Sequence, residues 1–144
     1  MASPDTYLTE MVSTLQSHAW SSQAPAMVVK GAIPPVLAFP VIGVLASGGT
    51  SENQTAVSYR HIDDVDWTVI LPVALDDSDK TYEDILAMGD EMMSIVRDNN
   101  DWGLVSVEQT IVKSWETSVM QTEDGMNFLQ SLTLNLKLVY TDSE

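Results

Sequence analysis

Cysteine is absent from the 144 residues, which excludes disulfides, thiolate metal centres and cysteine nucleophiles. Basic residues are scarce: six Lys and Arg stand against 21 Asp and Glu, a formal net charge of −15. Nucleic acids and anionic membranes are bound by replacing counterions with Lys and Arg, so specific binding to DNA, RNA or a membrane is not expected. Histidine occurs twice, as His18 and His61. A hydrolytic triad needs a histidine beside a nucleophile. His18 ends an expected helix, where a cation suits the C-terminal dipole, and His61 precedes an expected strand beside Arg60, so neither marks a catalytic centre. A phosphate loop is missing too, because Ser47-Gly48-Gly49-Thr50 has neither the lysine nor the spacing of a P-loop. The N-terminal MASPDTYLTEM has no basic region and no leading apolar block, unlike a secretory signal. These absences predict a protein that is not an enzyme and uses no cofactor or metal.

Apolar residues make up 44% of the chain, enough for one real core, and the length suits a single domain over residues 1–144. The acidic excess has two readings. It is either a local device, such as a negative channel or docking face, or a global adaptation to very high salt, where screening over roughly 3 Å at 1 M removes self-repulsion. Lysine occurs only four times and Asp outnumbers Glu 13 to 8, which favours the halophilic reading.

Ser3-Pro4-Asp5 predicts a helix start, with Ser3 as cap, Pro4 in the first helical position and Asp5 at the positive end of the dipole. Tyr7, Leu8, Met11, Val12 and Leu15 then share one helical face, ending near His18. From Ile62 to Leu75, Val65, Trp67, Val69, Leu71, Val73 and Leu75 share one parity, as in a strand with one buried face. Pro72 is expected at an edge position or a bulge, since it cannot donate to a ladder. A second helix is predicted from Thr81, read as its cap, with Tyr82, Ile85, Leu86, Gly89, Met92, Met93 and Val96 inward. Trp102–Val119 has the β-branched density of a strand, Asp124-Gly125 marks a hairpin turn, and MNFLQSLTLNLKLVY alternates cleanly. The expected fold class is α+β: a two-layer sandwich with an antiparallel sheet of about four strands packed on two helices.

Residues 31–49, GAIPPVLAFPVIGVLASGG, form the longest uncharged apolar stretch. It is long enough for a membrane span, but Pro34, Pro35 and Pro40 each cost about 3 kcal/mol or more inside a helix. Two short extended runs, Val36–Phe39 and Val41–Leu45, bending at Pro40, are expected instead, followed by a flexible loop at Gly48-Gly49. A run apolar on both faces needs two covers, and the second is expected to be a neighbouring copy. The expected oligomer interface therefore comprises Val36, Leu37, Phe39, Val41, Ile42, Val44 and Leu45, joined by Trp102 and Trp115. The acidic groups Asp63-Asp64-x-Asp66 and Asp76-Asp77-x-Asp79 do not match a Ca²⁺ loop pattern and read as solvated, helix-capping loops. A small acidic halophilic binding domain with a Ca²⁺ site in the 76–79 loop is the alternative from another class.

The order of TYLTEMVSTLQ, IPPVLAFPVIGV, WTVILPVAL, TYEDILAMGDEMMSIVRDN and a final hairpin ending SLTLNLKLVY resembles the tail-terminator, or tail-completion, proteins of long-tailed viruses. Gly43 and three prolines depart from that pattern by breaking the first strand. The resemblance implies a homo-oligomeric ring, a hexamer, that ends the tail tube and joins it to the neck. Its partners would be the tail-tube protein and a neck or head-completion protein, with DNA only passing through an acidic lumen. It implies no catalytic residue, assembly in the host cytoplasm and a final place in the virion. Together with the acidic composition it implies a virus of halophilic archaea. Tail-tube and neck-adaptor subunits are the nearest alternatives, and the work is expected to fall to surfaces: strand edges pairing between subunits, the apolar residues around Val36–Leu45, and the 102–140 hairpin.

Overall fold

The protein is described from a computed structural model covering residues 3–34, 38–53, 58–74, 76–122 and 127–143. The elements follow in the order α1 (Pro4–Ser17), β1 (Met27–Lys30), β2 (Val41–Asn53), β3 (Ser58–Pro72), α2 (Ser78–Asp98), β4 (Val107–Gln121) and β5 (Phe128–Ser143). The strands form one open sheet in the order β1-β2-β3-β5-β4. Every neighbouring pair is antiparallel except β1 with β2, so the sheet has five strands and is mixed. The α+β expectation holds; the all-antiparallel, four-stranded sheet does not. The extra strand, β1, is four residues long and closed by Gly31 at φ 98°, too short for any periodicity to show in the sequence.

Helix α1 forms where capping predicts. The Ser3 hydroxyl accepts the Thr6 N–H at 3.3 Å, Pro4 opens the first turn, and Tyr7, Leu8, Met11 and Leu15 are buried. Helix α2 starts three residues before the predicted Thr81. Its cap is Asp77, whose carboxylate accepts the Lys80 N–H at 3.1 Å. Thr81 instead turns inward, accepting the Ala74 N–H at 3.0 Å, and Tyr82 points outward. A Cβ on Gly89 would lie 2.7 Å from Leu132 Cδ1, so this glycine lets α2 approach the sheet closely despite its cost of up to about 1 kcal/mol in a helix.

Both helices lie on one face of the sheet, α1 over β1 and β2, α2 over β3, β5 and the near half of β4. The core is the layer between them: Ile42 and Val44 on β2, Val65, Trp67, Val69 and Leu71 on β3, and Leu132, Leu134, Leu136, Leu138 and Tyr140 on β5. The parities read from the sequence are those observed from Val65 to Leu71 on β3 and from Leu132 to Tyr140 on β5; Val73 lies beyond the end of β3, Phe128 is exposed, and Leu75, Met126 and the Asp124-Gly125 turn lie outside the described residues. Trp67 sits at the centre, fully buried, donating its indole N–H to Met11 Sδ at 3.4 Å with its ring centroid 5.5 Å from that of Trp102. Pro72 is the last residue of β3, where its missing N–H is harmless, although β3 is a central strand.

The apolar stretch behaves differently from expectation in two places. Strand pairing begins only at Val41, after the Phe39–Pro40 peptide, which is cis. It then runs straight through Gly48 and Gly49, the expected loop, with a bulge between Ala46 and Gly48. A side chain on Gly49 would collide with the Asp63 carboxylate, so the glycine makes room for a buried acid on the neighbouring strand. Among the described residues no helix is long and apolar enough to cross a membrane.

Candidate functional site: the edges of the sheet

The nine residues expected at an interface do not come together. Val36 and Leu37 lie outside the described residues. Ile42, Val44 and Trp102 belong to the core cluster, and Trp102 donates its indole N–H to the Thr110 hydroxyl at 2.8 Å. Val41 lies on the opposite face, yet it too is fully buried. There the chain covers itself: a Cβ at Gly43 would run into the side chain of Ile33, so Ile33 lies over the outer face of β2. The second cover expected from a neighbouring copy is therefore supplied internally for Val41 and Gly43. Phe39 is half-buried, and of the nine only Leu45 and Trp115 stay largely exposed, on opposite faces of the sheet and with two strands between them.

The exposed apolar surface is concentrated elsewhere, along β4. Ile111, Trp115, Val119 and Met120 are each between 42% and 57% exposed, and Phe128 of the adjoining β5 is 39% exposed. β4 is an outer strand, paired on one side only, to β5. Long edge strands are normally blunted by charge, proline or bulges. Here two bulges fall in the first half, between Val107 and Gln109 and between Val112 and Ser114. From Ser114 to Gln121 the ladder is regular, with no proline and one charge, Glu116. Ile111, Val119, Met120 and Phe128 fall in the 102–140 hairpin that the sequence marks as an assembly surface, but the sequence did not single them out. Each bulge shifts the side-chain alternation by one residue, so the apolar positions of β4 show no single parity.

At the opposite edge, β1 also pairs on one side only, to β2. Beside it, under the C-terminal end of α1, lies a groove of about 410 Å³ lined by Leu15, Trp20, Pro25, Ala26 and Val28, among others. The chain leading into this groove is held by one carboxylate. Glu91 of α2 accepts the Ser21 and Ser22 N–H groups at 2.9 and 2.8 Å, both serine hydroxyls, and the His18 ring at 2.6 Å. Burial alone would raise the Glu91 pKa. The Ser22 and Ser21 amides, the Ser22 hydroxyl and His18 outweigh it and hold the carboxyl down at about 2. His18 thus serves as a partner for Glu91.

The helix-free face of the sheet is polar along its middle. Thr68 and Thr133 hydrogen-bond at 3.0 Å, Asn135 donates to Ser114 at 3.0 Å, and Lys137 pairs with Asp64 at 2.7 Å. Asp66 stands on the same face, its carboxyl pKa raised by partial burial and by the charges of Asp64 and Glu116. On the helix side, the buried Tyr7 hydroxyl donates to Asp63 at 2.7 Å. Burial, and then this bond, push the Tyr7 pKa up, so the phenol stays a neutral donor. His61 stacks on Tyr140 with centroids 4.7 Å apart, and its Nδ1 is 2.7 Å from the Ser51 hydroxyl. Asp77, in the 76–79 loop, is engaged as the α2 cap, and among the described residues no group of three or more His, Asp or Glu is placed to hold a metal ion.

Compared with known proteins, the chain matches no family model and no curated sequence.

Proposed function

We propose that this protein is a structural subunit that assembles with copies of itself into a ring, acting as the tail terminator of a tailed virus. The observation that carries the reading is the open sheet with an outer strand whose second half, Ser114–Gln121, is regular and flanked by exposed apolar side chains. Exposed apolar side chains along an unpaired strand edge favour association, and side chains as large as Trp115 and Phe128 supply most of the interface energy in such contacts. The helix-free face supports the rest of the reading. There Asp64, Asp66 and Glu116 outnumber Lys113 and Lys137, and Lys137 is paired with Asp64; with the threonines and Asn135 they make a hydrophilic, net acidic wall, as suits a channel through which DNA only passes. The acidic composition fits assembly at high salt, in a virus of a halophilic archaeon.

Negative-stain imaging with mass measurement in molar salt tests this. Closed rings are expected. Open filaments would move the reading to a tail-tube subunit, because a head-to-tail contact that fails to close propagates. Protomers alone, at all concentrations and also when the tail-tube protein is present, would overturn the assembly reading.

A further inference from the structure

The geometry points to one specific contact: β4 of one copy adds to the β1 edge of the next, continuing the sheet, with Val119 seated at the groove beside β1 and Trp115 beside Lys30. This rests on the assembly reading above and assigns the surfaces it uses.

The two edges lie at the same height in the sheet. Val28 pairs with Ile42, Ile42 with Val69, Val69 with Leu132 and Leu132 with Thr117, so Val28 and Thr117 end the same row. Lys30 and Trp115 end another, through Val44, Trp67 and Leu134. β1 runs with β2, while β4 runs against it, so a neighbour's β4 laid along β1 with no axial shift is antiparallel to it.

Backbone groups agree with that register. The Ala26 and Met27 N–H groups both donate to Pro40 O and the Gly31 N–H donates to Val44 O, so the open backbone edge begins at Val28, with Val28 and Lys30 turned outward. In β4 the Thr122 N–H donates inward to Asn127 O, so along the regular segment Trp115, Thr117 and Val119 turn outward. Open groups therefore meet open groups at Val28 with Thr117 and at Lys30 with Trp115, and each pair shares a face. A slip of one residue would lose both matches at once.

Side chains and charge complete the fit. The row beyond Val28 and Thr117 by two residues sets Val119, 57% exposed, opposite Ala26 at the mouth of the groove. Trp115 falls beside Lys30, where its ring meets the aliphatic stem of a side chain whose ammonium is paired with Asp5 and donates to the Thr9 hydroxyl of α1. In a chain of net charge −15, residues 24–30 carry one charge, Lys30, and residues 114–121 carry one of opposite sign, Glu116. Segments this sparsely charged meet with little self-repulsion.

The natural absence of cysteine makes cross-linking a clean test. Val29 and Glu116 fall opposite each other in the proposed contact, on the helix-free face, within the roughly 7 Å between Cα atoms that a disulfide allows. Mixing the Val29→Cys and Glu116→Cys proteins under oxidising conditions is expected to give a covalent dimer, and the double variant a ladder. Each single variant alone, and Thr117→Cys, should stay monomeric on a denaturing gel. Val119→Asp, folded by circular dichroism, should shift the assembly to protomers. An assembled wild type without the mixed cross-link, or Thr117→Cys linking to itself through a two-fold β4–β4 contact, overturns this contact and leaves assembly standing. A wild type that never assembles overturns the ring reading itself.

Discussion

Leu134 and Trp115 are partners across adjacent strands and point to the same side of the sheet, yet Leu134 is completely buried and Trp115 is 51% exposed. Both are large and apolar, so hydrophobicity does not separate them. What separates them is the reach of the helices. α1 and α2 roof β2, β3 and β5, while the second half of β4 runs out from under α2. The same residue chemistry thus makes a core in one strand and a docking edge in the next. In the roofed region polar side chains drawn out of solvent are tied to named partners, as Tyr7 is to Asp63 and Glu91 to the 18–22 turn. Along Ser114–Gln121 the apolar side chains have no such cover.

The comparison is sharpened most by removing the roofed member. Leu134→Ala should lower the unfolding free energy by about 2–5 kcal/mol, read from urea denaturation in molar salt, because a cavity opens beneath α2. A loss no larger than that of an exposed substitution would mean that the roof is not the main source of stability.

A smaller effect is expected at the clamp that ties the roof together. Glu91→Gln should cost about 1.5–3 kcal/mol at neutral pH, the range for hydrogen bonds to a charged group. The folded pKa of Glu91, about 2, lies below the ordinary carboxylate value of about 4.3. Its contribution is therefore fully present above the unfolded pKa and is lost as pH falls through the folded one. The stability gap between wild type and Glu91→Gln should be flat near neutrality and shrink across roughly pH 4 to 2. A gap that is unchanged by acid would show that the carboxylate charge is not what holds the 18–22 turn.

The smallest effect on folding is expected at the bare member. In dilute, dissociated protomers Trp115→Ala should change the unfolding free energy by no more than about 0.5 kcal/mol, as for surface positions generally. At high protein concentration the same variant should lose the concentration-dependent rise in melting temperature that assembly confers on the wild type. A large loss in the dilute protomer would place Trp115 with the core and erase the contrast with Leu134.

Much of the roofed region was legible in advance because local rules and tertiary burial agree there. Ser3, Pro4 and the Tyr7–Leu15 stripe mark α1 by capping and period alone, and the alternation from Leu132 to Tyr140 marks the buried face of β5. The edges were not legible. β1 is too short to show a period, and the bulges of β4 scatter its apolar residues over both faces. Gly48-Gly49 carries a loop signal, and only the carboxylate of Asp63, packed against it from the next strand, explains why it is strand. Asp77 displaced Thr81 as a cap because Thr81 found a partner in Ala74, a contact between segments that no local pattern encodes.

By itself, then, the sequence determined an acidic, cysteine-free α+β chain, its two helices, and the inward faces of its two central strands. Those features follow from composition and from periods repeated often enough to be read. Tertiary structure alone decided which apolar residues became core and which became rim. Burial depends on what lies overhead: Ile33 covers Gly43 from a separate segment, and α2 stops short of Trp115. The apolar stretch at 41–44, which looked like the docking surface, is closed by its own chain, and the open surface lies at the far edge of the sheet, on β4.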